Sequence, residues 1–470
     1  MGCSLFSAFY GENKRRPLRE RGKIEMLKRI IGSLLVLVVL VSILAGCAPA
    51  GEGPKLNGKG ITAYTIVYSE NEPIYNQRAA EYIQAEIAQR TGYTLEVKTA
   101  ESGSYKNEII VGETDRDLSE KLNANTENVE FAILADKKHI AMEGDYFIIA
   151  AAAYFFVETY ITGKDFDSTV PREVSIHTPI TEKANNFMFL IGDGMGQNHT
   201  LLFDYMEMEY MNTENDLEDR FYGYYLPYQG EVRTSSLSGT TDSAAAATAL
   251  ATGYKTDNGR IGRDPELNDL LSLTELANSL GMATAVMSTE GSTGATPAAF
   301  SAHADNRDDV EEILASQQII KEAGTILFCN MDSAYQVRSH IEDVLSQLEA
   351  SEKGFFLMYE EAHIDKESHN MNVDGACERM VRFNQAIATF MEYAFYHPDT
   401  FVVITADHET GGLTFDSDGW PEFTKDSHTD SRVPIFAYGE GAEVFDKFKK
   451  NNVIIPREIA KLWGVEDFGG

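Results

Sequence analysis

The sequence predicts an α/β protein: a mostly parallel sheet flanked by helices, preceded by a small α+β domain. Three observations predict it. Apolar runs in the second half of the chain alternate with amphipathic helical patterns, which is how strands buried on both faces of a parallel sheet read. The first part instead carries shorter strands, one tight hairpin and two helices. With 470 residues, 43% of them hydrophobic, the chain is long enough for two or three domains with sizeable cores.

Formal charge is −33. A surface that acidic repels nucleic acid, so no nucleic-acid partner is expected. It equally repels anionic substrates such as phosphate esters. A site for them needs its own local positive charge, and metal ions are the obvious source.

Residues 1–47 read as a leader. Lys28-Arg29 precedes the apolar run 30–44, which ends in Leu44-Ala45-Gly46-Cys47. A short basic segment, an apolar stretch and small residues make an export signal. The run is short of the roughly 20 residues a membrane span needs. The ending resembles a bacterial lipoprotein box, in which Cys47 is lipidated and becomes the mature N-terminus. Met26 is then the expected start. The expectation is an exported protein at the bacterial cell surface, lipid-anchored to the membrane through Cys47; a plain signal peptide or a membrane anchor is the alternative. Cys329 and Cys377 lack metal-site spacing and read as buried thiols.

Residues 48–60, rich in Gly, Pro and Lys, read as a flexible tether. Residues 61–180 form the small α+β domain. Strands are expected at 61–68, 95–98 and 108–111, and a hairpin at 131–135 and 139–142 around Asp136-Lys137-Lys138. Residues 74–90 place Ala79, Tyr82, Ile83 and Ile87 on one helical face, and 145–162 is a second, largely apolar helix. This pattern resembles the small α/β domain beside the catalytic barrel of many glycoside hydrolases. Glycan contact is one role that implies; a spacer is the other.

A polar linker near 181–185 leads into the second domain, 185–470. Its strands are expected at 187–191, 283–287, 326–329, 355–359, 401–405 and 434–438. Ligands of such sheets bind beyond the C-terminal strand ends, and the polar clusters fall there. Asp193 ends a strand within Gly192-Asp193-Gly194-Met195-Gly196; an ordinary strand-to-helix turn explains it as well. Ser243 follows Thr240-Thr241-Asp242 and opens an alanine-rich helix, where backbone N–H groups favour phosphate, though serine there is also a common helix cap. Thr296-Pro297-Ala298-Ala299-Phe300 runs on to His303 and Arg307, whose planar fork matches two phosphate oxygens. After 355–359 come Glu360, Asp365, Lys366 and His369. Asp365 and His369 are one helical turn apart, a spacing that suits a metal pair. Asp407-His408 follows the strand at 401–405, and His428 lies in a polar loop. These carboxylates and imidazoles suffice for more than one metal.

In that order, Asp193-Gly-Met-Gly, Thr241-Asp242-Ser243-Ala-Ala, Ala295-Thr296-Pro297-Ala298-Ala299, Glu360 with Ile364-Asp365-Lys366 and His369, Thr405-Ala406-Asp407-His408, and His428-Thr429 resemble the alkaline phosphatase family across about 186–445. The resemblance implies phosphate monoester hydrolysis through a phosphoserine on Ser243, with two zinc ions and one magnesium. Asp365, His369 and His428 would hold the first zinc; Asp193, Asp407 and His408 the second; Asp193, Thr296 and Glu360 the magnesium. Arg307 would clamp two phosphate oxygens and Lys366 would reach phosphate through water. It also allows a homodimer.

Two departures stand out. Two residues before Thr296 the family usually has Asp or His, and here the position is Gly294. Extra water is expected to fill that shell, with weaker magnesium. The segment between His408 and His428 is short, where many members carry a long insertion, so a more open site and broad use of small phosphomonoesters are expected. Rival readings are a phosphodiesterase or phosphonate hydrolase of the same superfamily, and a glycan-binding surface lipoprotein with an inactive phosphatase domain.

Overall fold

Runs of residues that a strand can bury on both faces form the centre of two sheets. The computed structural model describes residues 53–70, 73–122, 129–203, 205, 220–331 and 336–470. The expected leader with its Cys47, and the start of the expected tether, lie outside them. Among the described residues no helix is long and apolar enough to cross a membrane.

The first sheet has six strands: β1 (Thr65–Tyr68), β2 (Val97–Thr99), β3 (Glu108–Val111), β4 (Phe131–Ala135), β5 (His139–Glu143) and β6 (Ser175–His177), in the order β2-β1-β3-β5-β4-β6. β4 and β5 form the expected hairpin. Its turn is held by Asp136 Oδ1, which accepts from the N–H groups of Lys138 and His139. Helices α1 (Pro73–Thr91) and α2 (Ile149–Tyr160) cover the sheet. Two expectations are corrected. Residues 61–63 form a 3₁₀ turn, so the first strand starts at Thr65. The end of the expected tether is folded: Lys55–Leu56 pairs with Lys59–Gly60 and with Asp167–Ser168. Leu56, fully buried, anchors it; its burial, worth roughly 1.5–3 kcal/mol, offsets part of the entropy lost in ordering the segment.

The second sheet has eight strands: β7 (Asn186–Gly192), β8 (Tyr228–Arg233), β9 (Ala283–Ser288), β10 (Ile326–Phe328), β11 (Phe355–Glu361), β12 (Thr400–Thr405), β13 (Val433–Tyr438) and β14 (Lys449–Asn451). Their order is β10-β9-β11-β7-β12-β13-β8-β14. The first five are mutually parallel. β13 runs against its neighbours β12 and β8. The sheet is thus mostly parallel, as expected, with a reversed strand where a parallel one was read.

β7 lies at the centre, flanked by β11 and β12. The register sets Ile191 beside Glu360 and Thr405, and Ser288 beside Glu360. The C-terminal ends of β9, β11, β7 and β12 therefore open onto one edge, where the polar clusters gather. Residues 54–470 make one compact unit. The long helix Val373–Tyr396 joins the two sheets: Phe147 stacks on Phe395 at 5.8 Å, Tyr82 packs on Tyr396 at 4.3 Å, and Arg78 Nε donates to the buried Glu392 at 2.8 Å.

Candidate active site

The sheet edge becomes a site because β7 stops and turns sharply. Gly194 has φ +77°. A Cβ there would stand 2.7 Å from the Cα of Asp365, so only glycine lets the turn lie against that residue. Asp193 is left at the strand end, buried, facing the loops after β11 and β12.

Ser243 is the first residue of α3, Ser243–Thr252, whose ten residues are all buried. Small alanine side chains let this helix pack closely on the short helix α4, Ala295–Ala299, with Ala244, Ala295 and Ala298 in one apolar cluster. The helix cap is Asp242, whose Oδ1 accepts from Ala245 N at 3.0 Å. The cap reading of Ser243 is thereby removed: its hydroxyl is not used by the helix, and its Oγ lies at hydrogen-bond distance, 3.1 Å, from His408 Nε2.

The other motif residues surround it in two groups. His369 Nε2 and His428 Nε2 are 3.1 Å apart, with Asp365 Oδ1 at 3.4 and 3.6 Å. His408 Nε2 lies 3.2 Å from Asp407 Oδ2 and 3.5 Å from Asp193 Oδ1. Ligand atoms of Asp365, His369 and His428 gather within 4.8 Å, as do those of Asp193, Asp365 and His408, so Asp365 stands between the groups.

Hydrogen bonds fix the imidazole tautomers. His369 Nδ1–H donates to Asp426 O at 2.6 Å and His428 Nδ1–H to Thr241 O at 2.8 Å. Thr410 gives its hydroxyl hydrogen to Asp365 Oδ1, so its oxygen accepts Nδ1–H of His408 at 3.2 Å. Each Nε2 then presents a lone pair inward, in the manner of metal-binding histidines. Two lone pairs facing at 3.1 Å repel unless a cation lies between. Two nitrogens about 2.0–2.1 Å from one tetrahedral zinc stand about 3.3 Å apart. Asp193 Oδ1, Asp407 Oδ2, Glu360 Oε1 and Thr296 Oγ1 are buried with no hydrogen-bond partner outside this group, a state that a bound ion or ordered water relieves. The residues fit metal ions. Without a cation, burial and then the charge of Asp365 push the Asp407 carboxyl up to about 7. Burial, followed by Asp407 and Glu290 respectively, raises Asp193 and Glu360. Burial, with His428 beside it, keeps the His408 imidazole neutral.

The third expected group is Asp193, Thr296 and Glu360. Glu360 Oε2 accepts from Ser288, leaving Oε1 inward. At Gly294 the expectation of extra water is corrected: a Cβ there would stand 1.8 Å from Glu290 Oε1, so the Glu290 carboxylate already fills that space. Glu290 Oε2 accepts from Lys366 Nζ at 2.8 Å, which places Lys366 over the site. Arg307 Nη1 reaches Asp242 Oδ2 at 3.4 Å, so the helix-capping residue also holds the arginine beside Ser243.

The expected ligands, Ser243, Arg307 and Lys366 therefore gather at one edge, while His303 of the same segment bonds to Gly262 and Glu275 instead. The sequence reading missed Glu290, Thr410 and the second role of Asp242. Glu290 lies two residues past the end of β9, and an acid just beyond a buried strand end was the available signal.

Comparison with known proteins falls on the same segment. A family model described as Alkaline phosphatase matches residues 184–338 and 330–422. Alkaline phosphatase 3 of Bacillus subtilis is 27% identical over 324 residues, 56% of this chain and 70% of its own. The alkaline phosphatase of Escherichia coli is 25% identical over 366 residues, 55% and 78% of the two chains. In structure, the alkaline phosphatase of the Antarctic bacterium TAB5 aligns with a TM-score of 0.51 and 25% identity, over 60% of this chain and 98% of that one. Likeness in sequence and likeness in fold meet where the ligand-type side chains converge, and the chain belongs to the alkaline phosphatase family.

Proposed function

We propose that this enzyme hydrolyses phosphate monoesters, with Ser243 as the nucleophile. The observation that carries the reading is Ser243 itself, a buried hydroxyl at a helix N-terminus that takes no part in the helix cap and bonds instead to His408 at 3.1 Å. Zinc would be held by Asp365, His369 and His428 and by Asp193, Asp407 and His408, and magnesium by Asp193, Thr296 and Glu360. Bound there, these ions supply the positive charge that lowers the serine pKa and offsets charge on the reacting oxygens.

The chain's own groups do the rest. Ser243 Oγ attacks phosphorus as the bond to the leaving alcohol oxygen breaks, giving phosphoserine; water then attacks phosphorus and returns the serine with release of inorganic phosphate. The N–H groups opening α3 face the incoming phosphate. Arg307, anchored by Asp242, clamps two non-reacting oxygens. Lys366 adds charge to a site that the overall −33 would otherwise make repellent. A two-oxygen clamp favours a terminal phosphate over a diester, and the short segment between His408 and His428 favours many small alcohols over one bulky one. The sequence of residues 26–47 supports export and lipid anchoring through Cys47.

Rates on p-nitrophenyl phosphate and its bis ester, before and after EDTA, test the reading. Monoester turnover faster by at least about tenfold (~1.4 kcal/mol), lost on chelation and regained with zinc, is expected. A diester preference would shift the assignment to a phosphodiesterase.

A further inference from the structure

We propose that Glu290 supplies the third cation site with the carboxylate that position 294 lacks. The inference rests on the magnesium site of the proposed function and names a residue that the family motifs do not point to.

Gly294 has φ −58°, an ordinary value that any residue adopts, so backbone strain does not explain the glycine. Space does. An added Cβ would meet Glu290 Oε1 at 1.8 Å and its carboxyl carbon at 2.2 Å. The Glu290 side chain thus lies in the volume that a side chain at 294 would use. The chain brings the two together by a tight turn, in which Gly294 N–H donates to Gly291 O at 2.8 Å.

Glu290 is held there from both sides. Its N–H donates to Ser288 Oγ at 3.0 Å and its carbonyl accepts from Asn330 N–H at 2.7 Å. Ser288 in turn donates to Glu360 Oε2, so one serine hydroxyl ties both glutamates. Lys366 takes Glu290 Oε2, and Oε1 is turned towards Gly294. Independently, Glu360 Oε1 and Thr296 Oγ1 are buried with no hydrogen-bond partner beyond each other, Glu360 being tied to Glu290 through Ser288. Two carboxylates and a hydroxyl make an all-oxygen set of the kind magnesium takes, completed by waters. The acid that other chains would carry two residues before the threonine arrives here from four positions further upstream.

Magnesium titration calorimetry on the zinc-loaded full chain, with bound metal counted after dialysis, tests this. Glu290→Ala should weaken magnesium roughly 10–100-fold with zinc content unchanged. Gly294→Asp alone should also weaken it, because the new side chain collides with Glu290. Glu290→Ala combined with Gly294→Asp should restore affinity to within a few-fold of the parent, because a carboxylate again fills the space. Lys366→Ala should not weaken magnesium.

Any of three results on the variants overturns the proposal: Glu290→Ala within about twofold of the parent; a double variant that melts like the parent yet binds no better than Glu290→Ala; or Lys366→Ala reproducing the loss, which would make Glu290 only the lysine's anchor. A parent chain that binds zinc but no magnesium would overturn the third site with it. Phosphatase activity of the parent, assayed in parallel, separates that result from failure of the phosphomonoesterase reading.

Discussion

His303 shows what a histidine of the motif region does when it is not a ligand. Its Nδ1 lies 2.8 Å from Gly262 O and its Nε2 2.9 Å from Glu275 Oε1. Burial lowers its pKa, but the bond to Glu275 outweighs that and the net shift is upward. Glu275 is lowered: burial opposes, and His303 prevails. The signs define a window. The glutamate's contribution is present above its usual value of about 4.3 and lost as pH falls through its lowered one; the histidine's is present below about 6.5 and lost as pH rises through its raised one. Glu275→Gln should therefore lower the melting temperature more near pH 6 than near pH 9, as differential scanning calorimetry would show. An equal loss at both values would mean the ion pair does not form. Residues of this kind separate legible from illegible. Ser243, Asp365 and His408 could be read because each sits in a short linear motif. Glu290 could not, because its meaning depends on which side chain fills a volume across a turn.

At the scale of the element, α3 joins stability to chemistry through one residue. Asp242 caps the helix with Oδ1 and, with Oδ2, accepts from Gly259 N at 3.0 Å and meets Arg307. Asp242→Ala should cost about 1 kcal/mol for the cap and also raise KM, because Arg307 loses its anchor. Asp242→Asn should keep most of the cap, since its carbonyl still accepts, while still raising KM. If both variants melted and bound substrate alike, the two roles would not be separable. Strands were legible where the sequence runs apolar: all six expected in the second sheet exist within a residue or two of their expected ends, including the half-buried β10. β8 and β14 were missed because they are polar or exposed, Tyr-Gln-Gly-Glu-Val-Arg in one and three exposed residues in the other. The reversed direction of β13 was illegible in principle, since an apolar run records burial and not polarity.

At the scale of the whole molecule, a strongly acidic chain concentrates buried carboxylates at one sheet edge and pairs them with inward-facing imidazoles. That arrangement is unfavourable alone, and cations make it favourable. The first sheet shares a core with the second through the helix Val373–Tyr396, which was not legible in the sequence because periodicity marks a buried face and not the element it packs against. The central claim remains that Ser243 is the nucleophile of a phosphomonoesterase, and the most direct measurement is the rate on p-nitrophenyl phosphate for Ser243→Ala beside the parent, at equal metal content. Loss of the nucleophile should lower kcat by roughly 10³-fold or more with the melting temperature preserved. A variant that keeps its rate within about tenfold of the parent would contradict the account.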